Sequence, residues 1–137
     1  MISQADVERL AIEFWDYVKG GGHGDGIGHL FINPGVLVPS GELIDLESHQ
    51  EIHRKLCDEL HKWIDLEVTP VCDEPERVRV DGVVQWEASF ADGRDGRIKA
   101  EVTEHWFIQR CDDGKLRWTH YASPVVRFLP DSAPLEL

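Results

Sequence analysis

The order of hydrophobic periods in this chain predicts an α+β fold, with helices first and a curved antiparallel sheet after them. Three observations carry that prediction. Apolar residues recur at helical spacing in the first half, period-2 alternation takes over from Leu66 onward, and the alternating segments are broken by the turn-rich stretches DEPE, DGRDG and DDGK. The 137 residues suffice for one hydrophobic core, and no repeat divides them. A single domain over residues 1–130 is expected, followed by a loose tail over 131–137.

Ser3 with Asp6 three residues on reads as a helix N-cap. Val7, Leu10, Ala11, Phe14 and Val18 then form an apolar stripe that predicts a helix to about Lys19. GGGHG ends it, a short helical piece follows over 25–31, NPG forces a turn, and VLVP is a short strand. Ser48 and Glu51 form an S-x-x-E capping box, predicting a helix from His49 to about Trp63. At about 100° per residue with Ile52 as zero, Leu56, Leu60 and Trp63 share its apolar face. His49 and His53 fall at about 60° and 100°, Cys57 at about 140° on the border, and His61 at about 180° in solvent.

Strands are expected over 66–72, 77–91, 97–110 and 116–128. Asp81-Gly82 fits either a tight hairpin or a bulge in one long strand. Even positions face inward: Val84, Trp86, Ala88 and Phe90, then Ile98, Ala100, Val102, Glu104, Trp106 and Ile108, then Leu116, Trp118, His120, Ala122 and Phe128. A three-residue loop Asp112-Asp113-Gly114, with Gly114 left-handed, pairs Cys111 with Lys115 and joins two even faces. It sets Trp106 across from His120, Trp118 across from Ile108 and Glu104 across from Ala122.

The inner wall so derived carries three tryptophans, Trp86, Trp106 and Trp118, and two proton-exchanging groups, Glu104 and His120. A carboxyl on an apolar face tends to a raised pKa, and a nearby imidazole is a fitting acid/base partner. A buried Glu-His hydrogen bond that only satisfies both groups is the plainer alternative. His49 and His53 lie in the first turns of a helix, where the dipole disfavours imidazolium, so a neutral, ligand-orienting imidazole is expected. Phe14 and Trp15 lie on the buried stripe, with Phe14 available to a cavity wall. Tyr17 on its shoulder is placed to aim a hydroxyl inward. HQEIH is not the zincin H-E-x-x-H, and spacing supplies no third ligand beside His49 and His53, so no metal is assigned.

A formal charge of -12 disfavours nucleic acid and anionic lipid surfaces as partners. No run is long enough to cross a bilayer, and MISQADVERL has no signal-peptide pattern, so cytoplasm is the expected location. Cys57, Cys72 and Cys111 are odd in number and widely spaced, as reduced thiols would be.

GDGIGHLF after the first helix, SGELIDLESHQEI at the second, and DDGKLRWTHYASP near the end together resemble the nuclear transport factor 2-like (NTF2-like) superfamily. That superfamily includes SnoaL-type polyketide cyclases, ketosteroid isomerases and scytalone dehydratase. The resemblance implies a cone-shaped curved sheet around N-terminal helices (a cystatin-like roll), an apolar pocket and a homodimer. Pro39 stands where the ketosteroid isomerases place a base, and Ser123 where the family ending often carries Asp, which argues against ketosteroid isomerization and the Asp-Arg-Asp epoxide-hydrolase chemistry. SGELIDLESH and THYASP also look somewhat like the phenazine-biosynthesis A/B proteins, with His120 in place of their acidic residue. The expectation is a cofactor-independent acid/base enzyme, an isomerase, dehydratase or cyclase, acting on a small apolar or aromatic molecule. His120 would be the base, Glu104 its partner or the acid, and His53 a third catalytic residue that orients the ligand. Tyr17, Phe14, His49, Trp86, Trp106 and Trp118 would form the pocket. A non-catalytic ligand-binding or dimerization module is the alternative.

Overall fold

The computed structural model describes residues 1–135. Helix α1 (Gln4–Lys19) starts at the expected capping box, with Ser3 and Asp6 exchanging side-chain and backbone hydrogen bonds. A 3-10 helix (Gly24–Leu30) follows, then β1 (Val36–Leu37), β2 (Leu43–Ile44), α2 (Leu46–Arg54), β3 (Leu56–Val71), β4 (Glu74–Phe90), β5 (Arg97–Arg110) and β6 (Leu116–Phe128). One curved, unclosed sheet holds all six strands in the order β2-β1-β6-β5-β4-β3, antiparallel except where Leu37 pairs Ala122 in parallel.

The second helix departs most from expectation. Its N-cap is Asp45, which accepts from Ser48 N–H at 2.7 Å, and it ends at Arg54 rather than near Trp63. Ala91 N–H donates to the Lys55 carbonyl at 3.0 Å and Leu56 pairs Phe90, so β4 captures the chain one turn after the histidines. Pairing along the sheet edge overrides a helical pattern whose apolar residues suit a strand equally well. Cys57 and His61 therefore lie on a strand, not on a helix flank.

Asp81-Gly82 makes no hairpin, because β4 runs straight through it. A Cβ at Gly82 would lie 2.6 Å from the Trp63 ring and 2.7 Å from the Asp65 carbonyl oxygen, so glycine admits the close approach of β3. The turn after β5 forms as expected, with Cys111 N–H donating to Lys115 O at 2.8 Å and Gly114 at φ 81°.

Residues 131–135 are docked rather than loose. Ala133 N–H donates to Arg97 O at 2.9 Å, Lys99 N–H to Ser132 Oγ at 2.9 Å, and Lys99 Nζ bonds Asp131 at 2.7 Å. Ala133 and Leu135 cover a cluster formed by Leu56, Trp86, Ala88, Phe90, Ile98, Ala100 and Val102. The last two positions of the expected tail lie outside the described residues. The larger cluster packs the α1 stripe against Val80, Trp106, Ile108, Trp118 and Tyr121. No helix among the described residues is long and apolar enough to cross a membrane.

Candidate functional site

A cavity of about 410 Å³ opens where the two clusters meet, between the helices, the β1–β2 hairpin and the concave face of the sheet. Phe14, Trp15, Val36, Val84, Trp86 and Val102 give it apolar walls. Besides Ser40 and Glu42 from the β1–β2 hairpin, its polar groups fall into two sets.

The first set comes from α2 and β3. His49 and His53, one turn apart, bring their rings to 4.6 Å, and His61 reaches them from β3 with its ring 6.4 Å from that of His53. His49 stacks on Phe14 and His61 on Trp15. His53 Nδ1 lies 2.7 Å from Glu59 Oε1, which also accepts from the Trp86 indole N–H at 3.0 Å. Burial works to raise the Glu59 pKa, but the hydrogen bond and charge of His53 together with the Trp86 bond outweigh it and hold the carboxyl below its ordinary value. With Glu59 ionised, Nδ1 of His53 is the donor in this hydrogen bond, and Nε2 is the other ring nitrogen. Burial, reinforced by neighbouring imidazoles, holds His49 well below the usual imidazole range. It takes His61 down to about 3 against the opposing pull of Glu59, so both are neutral.

Glu59 turns to the concave side, buried against His53 and Trp86, and His61 reaches the cavity, because β3 carries a bulge. Cys57 pairs Ser89 and Leu60 pairs Glu87, so two residues, Asp58 and Glu59, oppose one. Asp58 takes up the extra length at φ 50°. A second irregularity between Trp63 and Asp65 restores the original phase. Between them the odd residues Glu59, His61 and Trp63 point inward.

The second set lies on β5 and β6. Glu104 is buried, accepts from the Trp106 indole N–H at 2.7 Å, and lies 3.0 and 3.2 Å from Ser123 Oγ. Burial lifts its pKa to about 8 despite the Ser123, Trp106 and Tyr121 hydrogen bonds, so it is mostly a neutral acid at pH 7. Tyr121 stacks on Trp106 and, through burial first and the Glu104 carboxyl second, stays well above the usual phenol range.

His120 is on the other side of the sheet. Trp118 pairs Ile108 as expected, but Thr119 is an extra residue, so His120 pairs outward-facing Phe107 and Tyr121 takes the place opposite Trp106. A second shift lets Ser123 and Pro124 oppose Glu104, in place of the expected Ala122, which pairs His105. The inserted residue inverts the face of those that follow until the second shift restores it, which is why the imidazole expected inside stands beside His105 on the outer face. Trp106 and Trp118 are wholly buried behind the wall rather than lining it. The Tyr17 hydroxyl donates to His23 O at 2.6 Å and closes the turn after α1 instead of facing the cavity. Phe14, His49, His53, Trp86 and Glu104 do reach it. Glu59, His61, Tyr121 and Ser123 were missed. Alternation gave no warning of the bulges, although Asp58, a residue type that tolerates positive φ, marks one of them. Among the described residues no group of three or more His, Cys, Asp or Glu side chains has a metal-holding arrangement.

No protein-family model and no curated protein matches this sequence. Solved structures do. An NTF2-like protein from Cytophaga hutchinsonii superimposes with a TM-score of 0.63 at 11% identity, covering 93% of this chain and 99% of that one. A scytalone dehydratase-like protein from Novosphingobium aromaticivorans gives 0.67 at 12% identity, over 96% and 88%. A LinA-type hexachlorocyclohexane dehydrochlorinase from Novosphingobium barchaimii gives 0.59 at 13% identity, over 98% and 100%. Identities this low speak to architecture alone. On that architecture, helices α1 and α2 packed in the concavity of a six-stranded curved sheet, the chain has the NTF2-like fold.

Proposed function

We propose that the cavity carries out cofactor-independent proton transfer, of the kind that drives isomerization, dehydration or elimination, on a small apolar or aromatic molecule. The observation that carries this reading is His53 at the wall of a largely apolar cavity, held from behind by Glu59, with a neutral carboxylic acid in the other polar set. Glu59 fixes the tautomer and ring orientation of His53 and stabilises the imidazolium formed when Nε2 takes a proton. Trp106 donates to Oε2 of Glu104, which leaves Oε1 to carry the acid proton toward Ser123 or toward a ligand oxygen. Glu104 and Tyr121 are then neutral donors in an apolar site, suited to an oxygen that becomes negative as the proton leaves carbon. His49, Phe14 and Trp86 shape the ligand site. Among the neighbours, one is named a dehydratase-like protein and one a dehydrochlorinase, which supports elimination chemistry as the class to try first. The homodimer implied by the resemblance belongs to the same proposal: the outer sheet face leaves Leu60, Ile64 and Val125 exposed for such a contact.

A panel of small cyclic ketones and hydroxylated aromatics in heavy water, followed by NMR, tests the reading. Exchange or elimination of an acidic C–H is expected with the native protein, and its loss in His53→Ala. Activity should fall as pH rises through about 8, where Glu104 ionises, and Glu104→Gln should flatten that limb while keeping a donor in place. A panel member that binds with no proton exchange in native protein would favour the non-catalytic binding module.

A further inference from the structure

Behind the cavity, on the outer face of the sheet, one guanidinium grips the bulge that presents Glu59. Arg97 begins β5, yet its side chain crosses β4 to reach β3. Nε donates to Glu87 Oε1 at 3.1 Å, while Nη1 donates to Ser89 Oγ at 3.0 Å and to the Asp58 carbonyl oxygen at 3.0 Å, with Asp58 Oδ2 at 3.5 Å. Asp58 holds φ 50°, a conformation that Asp tolerates better than most L residues but still adopts at a cost, which the contacts around it offset. The next residue is Glu59, whose carboxylate holds both His53 Nδ1–H and the Trp86 indole N–H. The outer partners fix the backbone of residue 58, and the backbone of residue 58 aims the carboxylate of residue 59.

We propose that Arg97 is a positioning residue for the cavity: by clamping the strained bulge at Asp58 it aligns Glu59 on His53, although it touches neither. The inference rests on the His53–Glu59 pair of the preceding reading but not on turnover, so the two fail separately. Absence of proton transfer would sink the first, whereas this one is read in the resting protein without any ligand.

Two N–H groups report on Glu59 directly. In protein labelled with ¹⁵N, the Nδ1–H of His53, identified by its loss in His53→Gln, and the indole N–H of Trp86 are followed by NMR together with their solvent exchange. Arg97→Gln should weaken the His53 signal and speed exchange of the Trp86 indole by about tenfold, as expected when a hydrogen bond to a charged group is lost. Lys99→Gln removes a cation from the same face without contact to Asp58 and should change neither reporter. Arg97→Gln combined with Asp58→Gly should recover both, because glycine accepts positive φ unaided. If Arg97→Gln does not fold, Asp58→Val serves instead. Its β-branched side chain resists positive φ with the guanidinium still present, and both signals should be lost. Unchanged reporters in whichever of these variants folds, or equal changes in Lys99→Gln, would overturn the assignment.

Discussion

Strands β4 and β5 differ from β3 and β6 in one respect that organises the cavity. The first two pair without interruption from Arg77 against Gln109 to Ser89 against Arg97. Their cavity residues, Val84, Trp86, Val102 and Glu104, are all even. The other two strands are interrupted on both sides of the cavity, and there the inward residues are odd: Glu59, His61 and Trp63 on β3, Tyr121 and Ser123 on β6. Beyond the interruptions Leu56 and Val68, Trp118 and Val126, return to the even phase. Regular pairing thus supplies apolar walls and one acid, while the other polar groups that the sheet contributes, His61, Tyr121, Ser123 and the buried Glu59, come from windows where an extra residue at each end inverts the alternation.

A single-residue deletion gives the largest contrast. Removing Thr103 from β5 would turn Glu104, Trp106 and Ile108 outward or displace everything before them, so the protein is expected not to fold. Removing Thr119 should instead regularise β6 and leave His120 out and Tyr121 in, at a cost of about 1–2 kcal/mol for lost local fit. Denaturant unfolding of both compares them. Equal tolerance, or equal collapse, would break the distinction between the two kinds of strand.

Next in size is the pH dependence of stability. Ordinary values are 4.5 for glutamate and 6.5 for histidine, and the fold raises Glu104 to about 8, lowers His61 to about 3 and lowers His49 well below 6.5. Between pH 4.5 and 6.5 the unfolded chain holds two histidine protons that the folded one lacks. The folded chain holds the one Glu104 proton, and the difference of 2 − 1 makes stability rise with pH. Above 6.5 only the Glu104 proton remains, bound by the folded state, so stability falls until about pH 8. These three groups predict a maximum near pH 6.5, with slopes of about 1.4 kcal/mol per pH unit on either side. Glu104→Gln should remove the alkaline slope and steepen the acid one. Urea titrations across pH measure both, and an unchanged alkaline slope would mean that Glu104 ionises normally in the fold.

The same division explains what could be read in advance. The α+β order, the capping box at Ser3, the Gly114 turn and the inward faces of β4 and β5 follow from local periodicity, because nothing interrupts the pattern. Glu104, Trp86 and Phe14 were found that way. His49 and His53 were found on a helix that is real but shorter than its pattern, since the competition between helix and strand after Arg54 is decided by pairing with Phe90, some 35 residues away. His61 was placed in solvent for the same reason. His120 and Tyr121 exchanged roles through one inserted threonine, a choice made by the register of a neighbouring strand and invisible in either residue.

Gly82→Ala probes the point where regular and bulged strands press closest. The new methyl would meet the Trp63 ring at 2.6 Å and, less forgivingly, the Asp65 backbone oxygen at 2.7 Å. A loss of about 1–3 kcal/mol is expected, with Trp63 fluorescence shifting as the ring moves. A neutral result would show that β3 yields easily there, and that its phase is held elsewhere.

The smallest effect is expected at His120. Its ring stands on the outer face, 5.9 Å from His105 and 6.2 Å from Phe107, where partial burial, then His105 and Arg77, lower its pKa. It makes no contact with the cavity, so His120→Ala should change stability by about 0.5 kcal/mol or less and leave ligand binding as it was. Tyr121→Phe, one residue on, removes a hydroxyl beside Glu104 and should weaken binding of a ketone or phenol from the same panel. If the two substitutions traded effects, the bulge at Thr119 would be absent in solution and β6 would run in the even phase throughout.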